Sequence, residues 1–150
     1  MPSHAAGRAR PPEAPRRSLL QSDILRTVNL AAFRFLRELA REERVTLRVR
    51  GDCMQPDIAP GDAVTVRRRR LYLPGDVIVF RTPAGDLVAH RVLGYRGRSL
   101  VTQGDHCLLH DAPVAREAII GAVEGLRIEL RDRAAALARF TRLVARRLTR

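Results

Sequence analysis

Cys53 stands in Arg50-Gly51-Asp52-Cys53-Met54-Gln55-Pro56, a stretch that follows a strand-like run and precedes a turn. Gly51 permits a sharp bend there, so the thiol would project from a tight loop with its own N–H facing the same space, as a nucleophile with an oxyanion donor requires. A free thiol with a pKa near about 8.5 is mostly protonated at neutral pH, so the chemistry also needs a base. A histidine can take that proton, or hold the thiolate as an ion pair, leaving a sulfur that attacks peptide carbonyls. His90 is a candidate, although a histidine on an apolar strand face is also a common packing residue. His106, Cys107, His110 and Asp111 form a second group of donors. They suit zinc in kind, yet their spacing matches no common metal site, so no metal and no cofactor is expected.

The elements around these residues read mainly as strands. Val45, Leu47 and Val49 alternate with Thr46, Arg48 and Arg50, which predicts a strand delivering the Cys53 loop. Further strands are expected over 63–66, 77–80, 87–93 and 99–103, with more strand material from Ile119 to Leu130. Within 87–93, His90 shares a face with Val88 and Val92, while Arg91 shares the other with Leu87, Ala89 and Leu93. Gly-Asp pairs at 51/52, 61/62, 75/76, 85/86 and 104/105 mark turns without a fixed period, so no repeat architecture follows. Residues 1–17 carry Pro2, Pro11, Pro12 and Pro15 among Arg and Ala, have no hydrophobic periodicity and read as a disordered tail. Ser18 with Gln21 has capping-box spacing, and Leu20, Ile24, Val28, Phe35 and Leu39 recur at helical intervals, which predicts a helix from about 19 to 43. Arg131 to Arg150 reads as a second, basic amphipathic helix with Leu137, Phe140, Val144 and Leu148 on its apolar stripe.

The Cys53 stretch resembles the Gly-x-Ser-Met-x-Pro motif of the signal peptidase and LexA-like peptidases. Five further blocks follow in that group's order and extend the resemblance over roughly residues 47 to 125: Ala59-Pro60-Gly61-Asp62, Pro74-Gly75-Asp76-Val77-Ile78-Val79-Phe80, Ala89-His90-Arg91-Val92, Thr102-Gln103-Gly104-Asp105 and Ile119-Ile120-Gly121-Ala122-Val123. The resemblance is nearest to the archaeal and endoplasmic-reticulum enzymes, with cysteine where the family has serine. It implies a mainly β, α+β fold: an antiparallel domain over 45–125, flanked by an N-terminal helix segment, 18–44, and by 126–150, a strand end and basic helix. It implies that His90 is the general base, because its position is lysine in the bacterial type and histidine in the archaeal and reticulum type. Asp105 and Asp111 match the aspartates that orient that histidine, either one serving. Met54 would line the substrate site and Pro56 would rigidify its loop. The implied activity is endoproteolysis of an extended peptide or precursor protein, with small side chains before the cleaved bond. An inactive peptide-binding homologue, a membrane-surface or nucleic-acid adaptor acting through the arginine-rich ends, and a redox or metal role for Cys53 remain alternatives.

The chain has 28 Lys plus Arg, all arginine, against 16 acids, a net charge of +12. With lysine absent, a Cys-Lys dyad is excluded. Residues 45–125 hold 11 Arg and 9 acids, whereas 1–44 hold 9 and 5 and 126–150 hold 8 and 2, so the basic character lies in the ends. The four arginines Arg67 to Arg70 have only Tyr72 nearby to stack on a base, which disfavours nucleic acid as a partner. The C-terminal helix could lie on an anionic membrane surface. No run approaches about 18 apolar residues and the N-terminus lacks an apolar signal region, so a cytoplasmic protein, peripheral at a membrane if attached at all, is the expectation, although signal peptidases are usually anchored. Two cysteines cannot make the disulfide framework of a small secreted domain.

Overall fold

The computed structural model describes residues 23–24 and 28–148. Its elements run β1 (Asp23–Ile24), α1 (Leu30–Glu42), β2 (Val45–Val49), β3 (Ala63–Arg67), β4 (Val77–Arg81), β5 (Leu87–Arg96), β6 (Ser99–Gln103), a 3-10 turn (Arg116–Ala118), β7 (Ile119–Glu124) and α2 (Leu130–Leu148). The strands lie in the order β1-β2-β3-β7-β4-β5-β6. Every neighbouring pair from β2 onwards is antiparallel, and only the two residues of β1 add in parallel, Asp23 opposite Arg48. The fold is thus mainly β with one helix towards each end.

Period-two patterning explains the sheet. β2 is buried at Val45, Leu47 and Val49 and exposed between them, whereas β4 is buried on both faces. Its alternate residues separate two cores: Val77 and Val79 join Leu47, Val66 and Leu87 beneath α1, while Ile78 and Phe80 join Tyr72, Val92, Leu100 and Ala122. A third cluster, Leu93, Val101 and Ala136 with Phe140 and Leu143, seats α2 on β5. Gly94 makes that seat close, since a Cβ on it would come within 2.8 Å of the Phe140 ring. The expected apolar stripe of the C-terminal helix is therefore partly spent on its own domain, with Leu137 and Val144 left about half exposed.

The N-terminal helix is shorter than its periodicity suggested. It begins at Leu30, where Asn29 caps it by accepting a 2.8 Å bond from the Ala32 N–H, and residues 23–24 are strand instead of helix. The buried face is Phe33, Leu36 and Ala40, while Phe35 from the expected stripe is exposed. Ser18, its proposed cap, and the tail expected over 1–17 lie outside the described residues. The Asn29 cap sets this start, so Asn29→Ala is expected to cost about 1 kcal/mol in urea unfolding. Arg34→Ala, on the exposed face of the same helix, is the control and should cost less. Among the described residues no helix is long and apolar enough to cross a membrane.

Candidate active site

The loop after β2 is pinned at its base and at its tip. Val49 N–H donates to Asp62 O and Gly61 N–H to Val49 O, at 2.8 and 2.7 Å, closing the neck. Met54 and Ile58, each 1% exposed, sit in the core beneath α1, one helical turn apart and joined by an Ile58 N–H to Met54 O bond. Met54 is accordingly an anchor of the loop and not the substrate contact expected from its motif position. The thiol between these fixed points, on Cys53, is half-buried and lies 4.0 Å from the Ala89 carbonyl oxygen. Pro56 is exposed, follows a cis peptide bond and borders a polar recess with Gln55, Asp57, Arg91 and Asp105.

β5 brings His90 to that thiol. Its Nδ1 lies 2.7 Å from Asp111 Oδ2, so Nε2 is the ring nitrogen that Asp111 leaves free, and Cys53 lies close enough to influence the imidazole. Asp111 is itself held by Thr102, whose buried hydroxyl donates to Oδ2 at 2.6 Å and whose carbonyl accepts the Asp111 N–H at 2.8 Å. Burial pushes the His90 pKa down, but the hydrogen bonds and negative charges of Asp111 and Cys53 outweigh it and raise the pKa to about 9. The imidazolium is thus the form this site favours at neutral pH. Phe80 meets the ring edge-on at a centroid distance of 6.0 Å.

Asp105 has a different partner from the one expected. It binds Arg91, the next residue of β5 pointing to the opposite face, with Arg91 Nη2 at 2.6 Å from Oδ2 and Nε at 2.8 Å from Oδ1. Arg91 also reaches Asp57 at 2.7 Å and the Gly75 carbonyl at 2.8 Å. An arginine only 7% exposed needs such carboxylates, so Asp105 neutralises a buried cation and it is Asp111 that hydrogen-bonds His90. Arg91 meanwhile ties the Cys53 loop, through Asp57, to the loop after β6.

Three residues that sequence reasoning left without a role complete the arrangement. Thr102 is one, Asp57 another, and Gly104 the third. A Cβ on Gly104 would lie 2.7 Å from Cys107 Sγ, 3.0 Å from Cys53 O and 3.1 Å from His90 Nε2, so only glycine lets these groups converge. The His106 N–H donates to Cys53 O at 2.9 Å, drawing the two loops together. Cys107 lies half-buried in this convergence, its pKa raised by burial and then by the charges of Cys53, Asp111 and Asp52. Among the described residues no three His, Cys, Asp or Glu side chains gather as metal ligands. Such a constellation can hold a thiolate beside an imidazolium whose far nitrogen is fixed by a carboxylate.

A family model described as Peptidase S24-like matches residues 20–103, which include Cys53, His90 and Thr102 and stop short of Gly104, Asp105, Cys107 and Asp111. No curated protein matches the chain. The match spans more than half of the sequence and agrees with the antiparallel sheet and its flanking helices, and on that basis the chain belongs to the Peptidase S24-like family.

Proposed function

We propose that the protein is an endopeptidase of the signal peptidase and LexA-like kind, nearest the histidine-using archaeal and reticulum type, in which Cys53 replaces the nucleophilic serine. The observation that supports this is His90, whose Nδ1 is held by Asp111 while its imidazole interacts with Cys53. The Cys53 thiolate attacks the scissile carbonyl of an extended peptide, and its own N–H is the donor the loop offers to the oxyanion. The His90 Nε2–H then protonates the leaving amine as the C–N bond breaks. Water attacks the resulting thioester, giving a proton back to His90 and releasing Cys53. Asp111, acting through His90, keeps Nδ1–H in place throughout.

The pH dependence of Cys53 alkylation by iodoacetamide in Cys107→Ser protein, with and without His90→Ala, tests this pair. The expected thiol alkylates rapidly at neutral pH and slows when His90 is removed. A thiol of ordinary reactivity, indifferent to His90, would refute the peptidase and favour a domain that binds peptides without cleaving them.

A further inference from the structure

We infer that Cys53 and Cys107 form a peroxide-reactive pair, Cys53 the attacking thiolate and Cys107 the thiol that captures its oxidised form as an intrachain disulfide. Cys107 has no part in peptide cleavage, yet it is built into the same spot. Its sulfur, the Cys53 carbonyl and His90 Nε2 all border the one position that Gly104 leaves open. The His106 N–H bond to Cys53 O sets the residue before Cys107 directly against Cys53. Cys107 is held in turn by its N–H on Gly104 O at 3.0 Å and by Gln103 Nε2 on its carbonyl at 2.6 Å. Both cysteines are free thiols and both are half-buried. The backbone bond to the residue before Cys107 brings the two loops together, and a link between them requires the Cα atoms to come within about 4.4–6.8 Å.

The chemistry balances with a hydroperoxide as oxidant. Cys53 sulfur attacks the terminal peroxide oxygen, an S–O bond forms and the O–O bond breaks. The His90 imidazolium gives its proton to the departing alkoxide or hydroxide, the same delivery it makes to a leaving amine. Sulfur loses two electrons to the peroxide and becomes a sulfenic acid. Cys107 sulfur then attacks it, the S–S bond forms, and the S–OH group leaves as water with the Cys107 proton. A neutral Cys107 beside a charged Cys53 suits these unequal roles, because two thiolates in one place would repel.

This inference rests on the Cys53–His90 pair proposed above, and not on any peptide being a substrate. The protein is treated with one equivalent of hydrogen peroxide, its thiols are counted, and non-reducing peptide mass spectrometry maps the products. The wild-type chain should lose both thiols to a Cys53–Cys107 link that dithiothreitol reverses, while Cys107→Ser should instead accumulate dimedone-trapped sulfenic acid at Cys53. His90→Ala should slow either reaction about tenfold or more, as the thiolate fraction falls. Disulfides only between chains, or sulfenic acid at Cys53 in the wild type despite an intact Cys107, overturn the inference. If Cys53 in Cys107→Ser alkylates rapidly but the wild type makes no internal link, the pair with Cys107 fails alone; slow alkylation fails the Cys53–His90 pair itself.

Discussion

Asp111→Asn is expected to lower kcat for the proposed peptide cleavage by about 10⁴-fold without unfolding the domain, an effect of the size seen when the orienting carboxylate of a catalytic triad is made neutral. The amide keeps the volume and can still accept from Thr102, but it no longer offers a charge to the imidazolium. Burial of His90 is then opposed by Cys53 alone, so its pKa falls from about 9. The same substitution has a second signature in stability. In the wild type the folded-state pKa of His90 is raised, so its contribution is fully present below pH 6.5 and is lost as pH rises through about 9. The gap in melting temperature between wild type and Asp111→Asn should be widest at the acid end of this window and should narrow towards pH 9. A gap that stays constant or grows with pH would show that Asp111 does not hold a charged His90.

Gly104→Ala is expected to disable the site more broadly. The added methyl has no free direction, since it meets a sulfur at 2.7 Å, a backbone oxygen at 3.0 Å and a ring nitrogen at 3.1 Å. Cys107 can swing aside, but the Cys53 carbonyl is backbone, and moving it breaks the bond from the His106 N–H. Overpacking of this kind costs about 1–3 kcal/mol. Cleavage and rapid Cys53 alkylation should both be lost, because the displaced groups are the ones that pair. Urea unfolding and alkylation rates on Gly104→Ala and on Gly104→Ala with Cys107→Ala separate the two contacts. Removing the sulfur should recover part of the stability and none of the thiol reactivity; full recovery of both would mean that only the Cys107 contact matters.

The strands were legible because alternation and turn residues act locally, whereas the pairing of Cys53 with His90 was implied only by the resemblance. The start of α1 was not legible. Leu20, Ile24 and Val28 fit a helical period, but Ile24 pairs with Val49 of β2, and the stop signal was Asn29, a capping residue just before the run that does bury. Spacing could not separate Asp105 from Asp111, yet a clue lay beside His90. Alternation set Arg91 against Leu87, Ala89 and Leu93, and an arginine on an apolar face requires a carboxylate, which Asp105 supplies. Met54 carried a similar clue, its four-residue interval to Ile58 marking a face turned inward. Gly104 was beyond any sequence argument, because its role is the emptiness it leaves among residues from three separate segments.

The pairing of His90 and Arg91 on consecutive positions of β5 has a mechanical consequence. One residue holds the proton-transfer group and the next holds the frame of both loops that carry the sulfur atoms. Their positions are therefore measured from a single short ruler, one peptide unit long. When the sheet flexes, base and frame ride together, so thermal bending elsewhere in the domain changes their common position far more than the gap between nucleophile and base.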